Sequence, residues 1–425
     1  MSDSWLSRSL PSSHVWSLDT SGSDIFRSGN YSIFNPTTLS LTDSLQPVHR
    51  TLQVFLRVSN MHFCPPNAHW REVLQTEKQV RSFVAAGVLR LPAAEEEAPP
   101  VWLSAVRLLP LDHVGGDAEC TGGIPLPDGG FGSFRGAEDP RVFQGVGASS
   151  HAPWLFVSAW TGGCVRLRMH LLKLRAEDGT PPDEAAPALP TLAAAELLPL
   201  TVRAWRENYG LPHPESEPIQ KNWLPFVYRD TLLVEYSVEP RIVLRVDPAS
   251  GDCYPAFGQS SFPRLHQLAQ QRGRVSGGAP PVLLSERGVF LGLAHVKESV
   301  RKPHLTGTKH MVYRHLFYAF EAAPPYAVVA ASEPFSLPRT ERRGPVCDKG
   351  PPEAPPTVQF ASGMVLDNER RTVLVSYSEL DCGAKLAEYS LSVVLHELWG
   401  EADTARVATE AAGAPGTRRV VVPPV

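Results

Sequence analysis

"KNWLPFVYRDTLLVEYS", residues 221–237, compresses one structural unit into a single line: a polar start, a short apolar run containing a proline, a polar turn, and a second alternating run ending on an aromatic. Alternation of Val, Leu, Phe and Tyr around a turn marks a β-hairpin. The unit recurs loosely upstream, as IFNPTTLSL…TLQVFLRVSN and AEDPRVFQG…PWLFVSAW, and downstream, as SGGAPPVLLSERGVFLGLAHV and FASGMVLDNERRTVLVSYSELD. Five such units in series predict an all-β fold, a five-bladed β-propeller, because radial repetition leaves only short, protected sheet edges.

Outward from these units, VRLRMHLLKL, RIVLRV, LFYAFEA and YAVVAAS supply further strands. Helices are accessories, expected where apolar residues recur every three to four positions: REVLQTEKQVRSFVAAG (71–87), LAAAELL (192–198) and SSFPRLHQLAQQ (260–271). Pro/Ala-rich surface loops are expected at 91–100, 176–190 and 340–356, where proline, alanine and acidic residues leave little to bury. A length of 425 residues allows two domains or one repetitive architecture, and the repeats select the second. The expected organisation is an N-terminal extension over 1–30, a catalytic propeller over 31–400 and a C-terminal tail over 401–425.

A net charge of −4 with 20% charged residues provides no field for gripping a polyanion, so nucleic acid is not an expected partner. The six cysteines are dispersed, with no Cys-x-x-Cys pair, and read as reduced thiols. No signal-peptide core and no run of about 18 apolar residues is present, so a soluble, cytoplasmic protein without a membrane span is expected if Met1 is the natural start. Nothing in the sequence bears on oligomeric state.

In a propeller blade the innermost strand starts near the axis and its antiparallel partner returns to the same face, so both hairpin ends project into one central depression. This collects Asn35, Arg57, Glu138, Asp139, Arg141, Trp160, Lys221, Asn222, Tyr236, His295, Tyr377 and Asp381. Each has a plainer reading: Asp before Pro starts turns, a lone His or Tyr more often packs than reacts, and Asp381 could cap a turn. Together, however, carboxylates, cations and aromatics at equivalent hairpin ends describe a polar ligand pocket with stacking walls. No zinc spacing, Walker loop or nucleophile elbow occurs, so no metal or cofactor is expected. His304, His310 and His315 in KPHLTGTKHMVYRH read as part of a basic solvated loop.

GAEDPRVF with its following aromatic strand, KNWLPF…LLVEYS, SGGAPP…FLGLAHV, LFYAFEAAPPYAVVAASEPFSLP and SYSELDCGAKLAEYSL, taken in order, resemble glycoside hydrolase family 130 and the related β-1,2-mannosyltransferases. The resemblance covers roughly residues 130–395. It implies a five-bladed propeller enzyme, a glycosyltransferase or glycoside phosphorylase, that makes or cleaves β-mannosidic bonds with inversion. Asp139 would be the general acid, acting through a sugar hydroxyl. Asn35, Arg57, Glu138, Arg141, Trp160, Tyr236, Tyr377 and Asp381 would bind an oligosaccharide substrate. Lys221, Asn222 and His295 would face a phosphate, sugar phosphate or sugar nucleotide, a dianion needing converging donors.

An inverting hydrolase of the same fold would also need a carboxylate base about 6.5–9.5 Å from the acid. A non-catalytic glycan-binding propeller would keep the pocket without turnover. Strand alternation should turn Glu138 away from Asp139, toward Arg141 or the sugar. For Asp139 to donate a proton near neutrality, burial or a neighbouring carboxylate must raise its pKa. The last unit departs from the family in reading YSELD, and the segment after AHVK is long and basic, with Lys297, Arg301, Lys302 and Lys309; it is either a solvated hairpin or a donor clamp.

Overall fold

The computed structural model describes residues 8–19, 32–40, 50–60, 79–91, 101–109, 124–125, 131–147, 152–161, 166–176, 192–205, 209, 211–301, 309–338, 358–379 and 383–400. Asp381, most of the expected surface loops and the tail lie outside them.

In chain order the strands are β1 (His14–Asp19), β2 (Ser32–Ser40), β3 (Arg50–Ser59), β4 (Gln79–Leu91), β5 (Val101–Leu108), β6 (Ile124–Pro125), β7 (Phe131–Gln144), β8 (Pro153–Thr161), β9 (Arg166–Ala176), β10 (Leu192–Pro199) and β11 (Thr201–Val202). There follow β12 (Leu224–Tyr228), β13 (Thr231–Ser237), β14 (Arg241–Val246), β15 (Asp252–Ser260), helix α1 (Pro263–Arg272), β16 (Ser276–Leu284), β17 (Val289–Arg301), β18 (Lys309–Glu321), β19 (Val328–Ala331), β20 (Gln359–Asp367), β21 (Thr372–Glu379), β22 (Gly383–Ser390) and helix α2 (Leu391–Trp399). Every hairpin read from the sequence pairs as expected: β2 with β3, β7 with β8, β12 with β13, β16 with β17 and β20 with β21, all antiparallel.

Each hairpin continues into an antiparallel meander: β2–β5, β7–β10, β12–β15, β16–β19 and β20–β22. The chain start completes the last of these, since β1, from the stretch set apart above as an extension, pairs antiparallel with β22. Short parallel bridges, β4 to β7 and β1 to β5, make the pairing continuous through a 13-stranded sheet beside sheets of five and four strands.

Strand alternation gives each meander two apolar faces, and each face is buried against a different neighbour. In β3, Val54 and Leu56 join a cluster with Leu374 and Leu386 of the last meander, while Phe55 between them joins Leu155 and Val157 of β8. In β13, Leu232 and Val234 face Phe156 and Leu171, and Leu233 faces Phe290 and Leu316. A further cluster joins Leu293 and Phe317 to Ala361 and Val375. The core therefore lies between successive meanders and returns from the last to the first. The initial strands follow the same cycle by packing rather than pairing: β2 on β7, β7 on β12, β12 on β16, β16 on β20, and β20 on β2.

Helix α1 forms where expected. Residues 79–91 and 192–199 are strands instead. Val80, Val84 and Val88 are spaced by four, which fits a strand face as well as a helix face, and pairing with β3, β5 and β7 decides for β. The Ala-rich 192–199 stretch is drawn into extended form by its ladder with β9, tertiary pairing overriding propensity. Helix α2 was not anticipated, although Leu391, Val394, Leu395 and Leu398 are buried at helical spacing. The basic segment after AHVK is a long hairpin with β17 and β18 in register out to Arg301 and Lys309; Lys302 lies outside the described residues. No helix among the described residues is long and apolar enough to cross a membrane.

Candidate active site

Where the initial strands meet, β2 and β7 carry the same irregularity. Phe34 pairs with Arg57 and Thr37 with Phe55, so Asn35 and Pro36 oppose one residue. Glu138 pairs with Ser158 and Arg141 with Phe156, so Asp139 and Pro140 do likewise. These are β-bulges, which bend a strand and re-aim a side chain, and proline is tolerated there because no ladder donor is lost. Asn35 and Asp139 take left-handed backbone angles, φ 50° and 49°, and Asn222, just before β12, has φ 64°. Asn and Asp tolerate this region best among residues with a side chain, at a strain typical of functional sites.

The two bulges put their side chains against each other. Asn35 Nδ2 donates to Asp139 Oδ1 at 2.6 Å, and Arg57 Nη1 donates to the same oxygen at 3.1 Å. Arg57 Nη2 lies 2.8 Å from Glu138 Oε1, which also accepts from Trp160 Nε1 at 3.0 Å. Alternation had placed Glu138 elsewhere, on Arg141 or the sugar. The bulge breaks that alternation, and both carboxylates share one guanidinium. Ser82 Oγ accepts from Arg57 Nε and Nη2, and Ser378 Oγ donates to Asn35 Oδ1 at 2.7 Å. Gly136 makes this approach possible: a Cβ there would lie 1.8 Å from the Ser82 carbonyl oxygen.

Burial would raise the Asp139 pKa, but the charges of Arg57, Arg141 and Lys221 and the Asn35 hydrogen bond outweigh it and hold the carboxyl below its ordinary value. The raised pKa that proton donation near neutrality would require is therefore not what this surrounding produces: it favours the carboxylate. Both protein contacts fall on Oδ1, and Oδ2 makes no hydrogen bond among the described residues. Phe134 stacks on Trp160 with ring centroids 4.8 Å apart, giving an aromatic wall beside the acid. Arg141 is buried, donates to the Gly278, Asp139 and Pro140 carbonyls, and lies over the Phe360 ring. It ties β7 to β16, and its Nη2 has no hydrogen-bond partner among the described residues. Burial pulls its pKa down to about 10, with Asp139 opposing, so it remains a cation at neutral pH.

Beside this centre is a cavity of about 290 Å³ lined by Lys221, Asn222, Tyr236, Arg272, Arg274 and Lys297, among others. Gly277 closes one side, where a Cβ would sit 2.6 Å from the Asn222 carbonyl oxygen. Lys221 links the cavity to the acid, since its charge acts on both Asp139 and His295. Tyr236 is nearly buried among Trp205 and Trp223, and burial raises its phenol to about 12.

Two expected ligand-facing residues are enclosed. His295 is fully buried, stacked on Tyr313 at 5.3 Å with the Phe360 edge against it. Burial first, then the charges of Lys297, His315, Arg141 and Lys221, hold its pKa well below the usual imidazole value, and neither ring nitrogen has a hydrogen-bond partner among the described residues. Tyr377 is a core residue whose hydroxyl donates to the Pro338 carbonyl at 2.7 Å. His315 is likewise not in a solvated loop: it is buried in β18 and accepts from the Ala361 N–H at 3.3 Å. The sequence reading missed Ser82, Ser378 and Phe134, whose only signal is their position near the end of a strand beside a named residue. Among the described residues no cluster of His, Cys, Asp or Glu could hold a metal ion.

No protein-family model matches the chain, and no curated protein matches it in sequence. Solved structures similar to it include the β-1,2-mannobiose phosphorylase of Listeria innocua, bound to β-1,2-mannobiose, with 14% identity over 88% of this chain and 94% of that one and a TM-score of 0.46. A GDP-Man-dependent mannosyltransferase from Leishmania mexicana matches at 9% identity over 89% and 90%, TM-score 0.47. The catalytic domain of a Coprinopsis cinerea α-L-arabinofuranosidase matches at 11% identity over 89% and 97%, TM-score 0.39. At these values the likenesses carry no inference about the chemistry of this chain.

Proposed function

We propose that the protein is a carbohydrate-active enzyme that makes or cleaves β-mannosidic bonds with inversion, working in the cytoplasm in the manner of the family 130 propellers and β-1,2-mannosyltransferases its motifs resemble. On this reading the meanders are the blades of a five-bladed propeller spanning residues 31–400, and β2, β7, β12, β16 and β20 are the innermost strands. The observation that carries the proposal is the state of Asp139: one oxygen pinned by Arg57 and Asn35, the other open, on a strained bulge beside the Phe134–Trp160 wall.

A carboxylate held ionised suits the synthetic direction. Asp139 accepts the proton of the acceptor hydroxyl, directly or through a neighbouring sugar hydroxyl, as that oxygen bonds to the anomeric carbon. The phosphate-bearing leaving group departs from the opposite face with the electron pair of its C–O bond. Reversal makes the same residue the general acid of phosphorolysis. Hydrolysis would need a further base about 6.5–9.5 Å away, and Glu138, adjacent and bound to Arg57 and Trp160, is a positioning residue instead.

The test is incubation of the purified protein with mannose 1-phosphate or GDP-mannose and a mannoside acceptor, and with β-mannobiose plus phosphate, following new oligosaccharide and released phosphate. Turnover abolished in Asp139→Asn, with sugar affinity retained, is the expected result. Sugar binding without turnover by the unmodified chain would replace the enzyme with a glycan-binding module, and turnover unaffected by Asp139→Asn would remove Asp139 from the chemistry.

A further inference from the structure

The β2 bulge is gripped from two other meanders. On one side the Thr37 hydroxyl accepts from the Val142 N–H at 3.1 Å, just past the bulge of β7. On the other, the last meander holds it twice: Ser362 of β20 donates to the Pro36 carbonyl at 2.8 Å, and Ser378 of β21 donates to Asn35 Oδ1 at 2.7 Å. Gly363 permits so close an approach, since a Cβ there would lie 2.7 Å from Thr37 Cα and 2.3 Å from Ser376 Oγ.

What each group can donate or accept fixes the direction of the chain from Ser378 to Asp139. A carboxylate only accepts, so Asn35 turns Nδ2 to Asp139 at 2.6 Å, which leaves Oδ1 facing Ser378. Ser378 is fully buried, and Asn35 Oδ1 is the one side-chain partner of its hydroxyl among the described residues. Turning the amide over would set its oxygen against the carboxylate and strand the Ser378 proton without an acceptor, a costly state for a buried donor. Donation to Oδ1 also polarises the amide and strengthens its N–H groups as donors.

We propose that Ser378 is a positioning residue for Asp139: from the last meander it locks the Asn35 amide with Nδ2 toward Asp139 Oδ1, which leaves Oδ2 open for the substrate hydroxyl. The inference rests on the functional reading above for the chemistry it gives Asp139, and adds a buried residue that does not touch the acid itself. The charges around Asp139 are Arg57, Arg141, Lys221 and, across Arg57, Glu138. The neighbouring charge on β21, Glu379, lies 3.0 Å from Lys385 Nζ of β22. Removing a serine hydroxyl alters none of these, so any change it makes at Asp139 is read through Asn35.

The experiment compares Ser378→Ala, Asn35→Ala, their combination and Ser376→Ala in the whole chain. Two quantities are followed: the pH profile of kcat/KM with the substrates named above, and the carboxyl titration of Asp139 by NMR in aspartate-labelled protein, its signal assigned with Asp139→Asn. Ser378→Ala is expected to lower kcat/KM by about three- to fivefold and to move the acidic limb and the Asp139 titration upward. The double variant should match Asn35→Ala, because the serine acts through the amide. Ser376→Ala removes another buried hydroxyl from β21, one that faces Thr38 Oγ1 at 3.4 Å, and should leave the limb in place. Should Ser378→Ala fail to fold, Ser378→Cys, a weaker donor of similar shape, takes its place with the same direction expected. Losses that add in the double variant, or a limb and titration unmoved by the Ser378 change, would overturn the proposal. An Asp139 titration that moves as expected in a chain without turnover would sink the functional reading and leave the positioning in place. Turnover that depends on Asp139 but not on Ser378 would do the reverse.

Discussion

Two clusters in this molecule are built from the same groups and do opposite things. In the core between β13, β14 and β18, Arg241 pairs with Glu235, whose other oxygen accepts from the Tyr318 hydroxyl at 2.5 Å. Arg241 also donates to the Tyr326 carbonyl and lies over Phe320 at 4.1 Å, and both members of the pair are at most 1% exposed. Between β3 and the β7 bulge Arg57 holds Glu138 and Asp139, but the carboxylate side chains are 10% and 15% exposed and each uses one oxygen. The first cluster satisfies both carboxylate oxygens, although Arg241 Nη2 has no hydrogen-bond partner among the described residues. The second is charged and oriented, and leaves one oxygen of each carboxylate without a hydrogen bond among the described residues, as the proposed function requires. Burial of an ion pair alone therefore says little about its purpose; the satisfaction of its last oxygen says more.

The largest expected effect is at the open cluster. Asp139→Asn should lower turnover by up to about 10⁴-fold while leaving the urea midpoint near that of the parent, which separates chemistry from folding. An equal loss of stability would make the open cluster as structural as the closed one. At the closed cluster Arg241→Leu leaves Glu235 buried without its cation and should cost about 3–5 kcal/mol, read from urea unfolding. A cost below about 1 kcal/mol would mean that the pair is dispensable.

Asn35→Ala removes one donor from Asp139 and leaves Arg57 in place, so a smaller loss is expected, roughly tenfold in kcat/KM. It also carries a pH signature. The folded pKa of Asp139 is depressed, so its stabilising contribution is present above the unfolded value and is lost as pH falls through the folded one. The acidic limb of synthesis should accordingly lie below the ordinary aspartate range, and Asn35→Ala should move it upward. A limb that stays put would detach Asn35 from the ionisation. The smallest effect belongs to a third kind of pair, Arg371 with Glu286, where both side chains are well exposed. Glu286→Gln should change stability by no more than about 1 kcal/mol and weaken with salt.

Much of the site was legible because bulged hairpins leave marks in a sequence. An Asx–Pro pair within an apolar strand occurs at Asn35 and at Asp139, and the two bulges meet, Asn35 and Arg57 both donating to Asp139 while Trp160 donates to the adjacent Glu138. Lys221 and Asn222 are likewise in the cavity wall. What stayed hidden depends on neighbours far along the chain. The burial of His295 depends on Tyr313 and Phe360, the core position of Tyr377 on Pro338, and the sharing of Arg57 by Glu138 and Asp139 on a register shift that alternation does not reveal.

By itself, then, the sequence determined the hairpins: where strands start, which faces are apolar, and which polar residues sit at the turns, because these follow from periods and propensities that act over a few residues. Tertiary structure decided that 79–91 is a strand, that the N-terminal segment pairs with β22, that the last apolar layer joins the first, and that Asp139 is ionised. Those outcomes depend on pairing partners, desolvation and charges brought together from tens to hundreds of residues away, where local pattern carries no information.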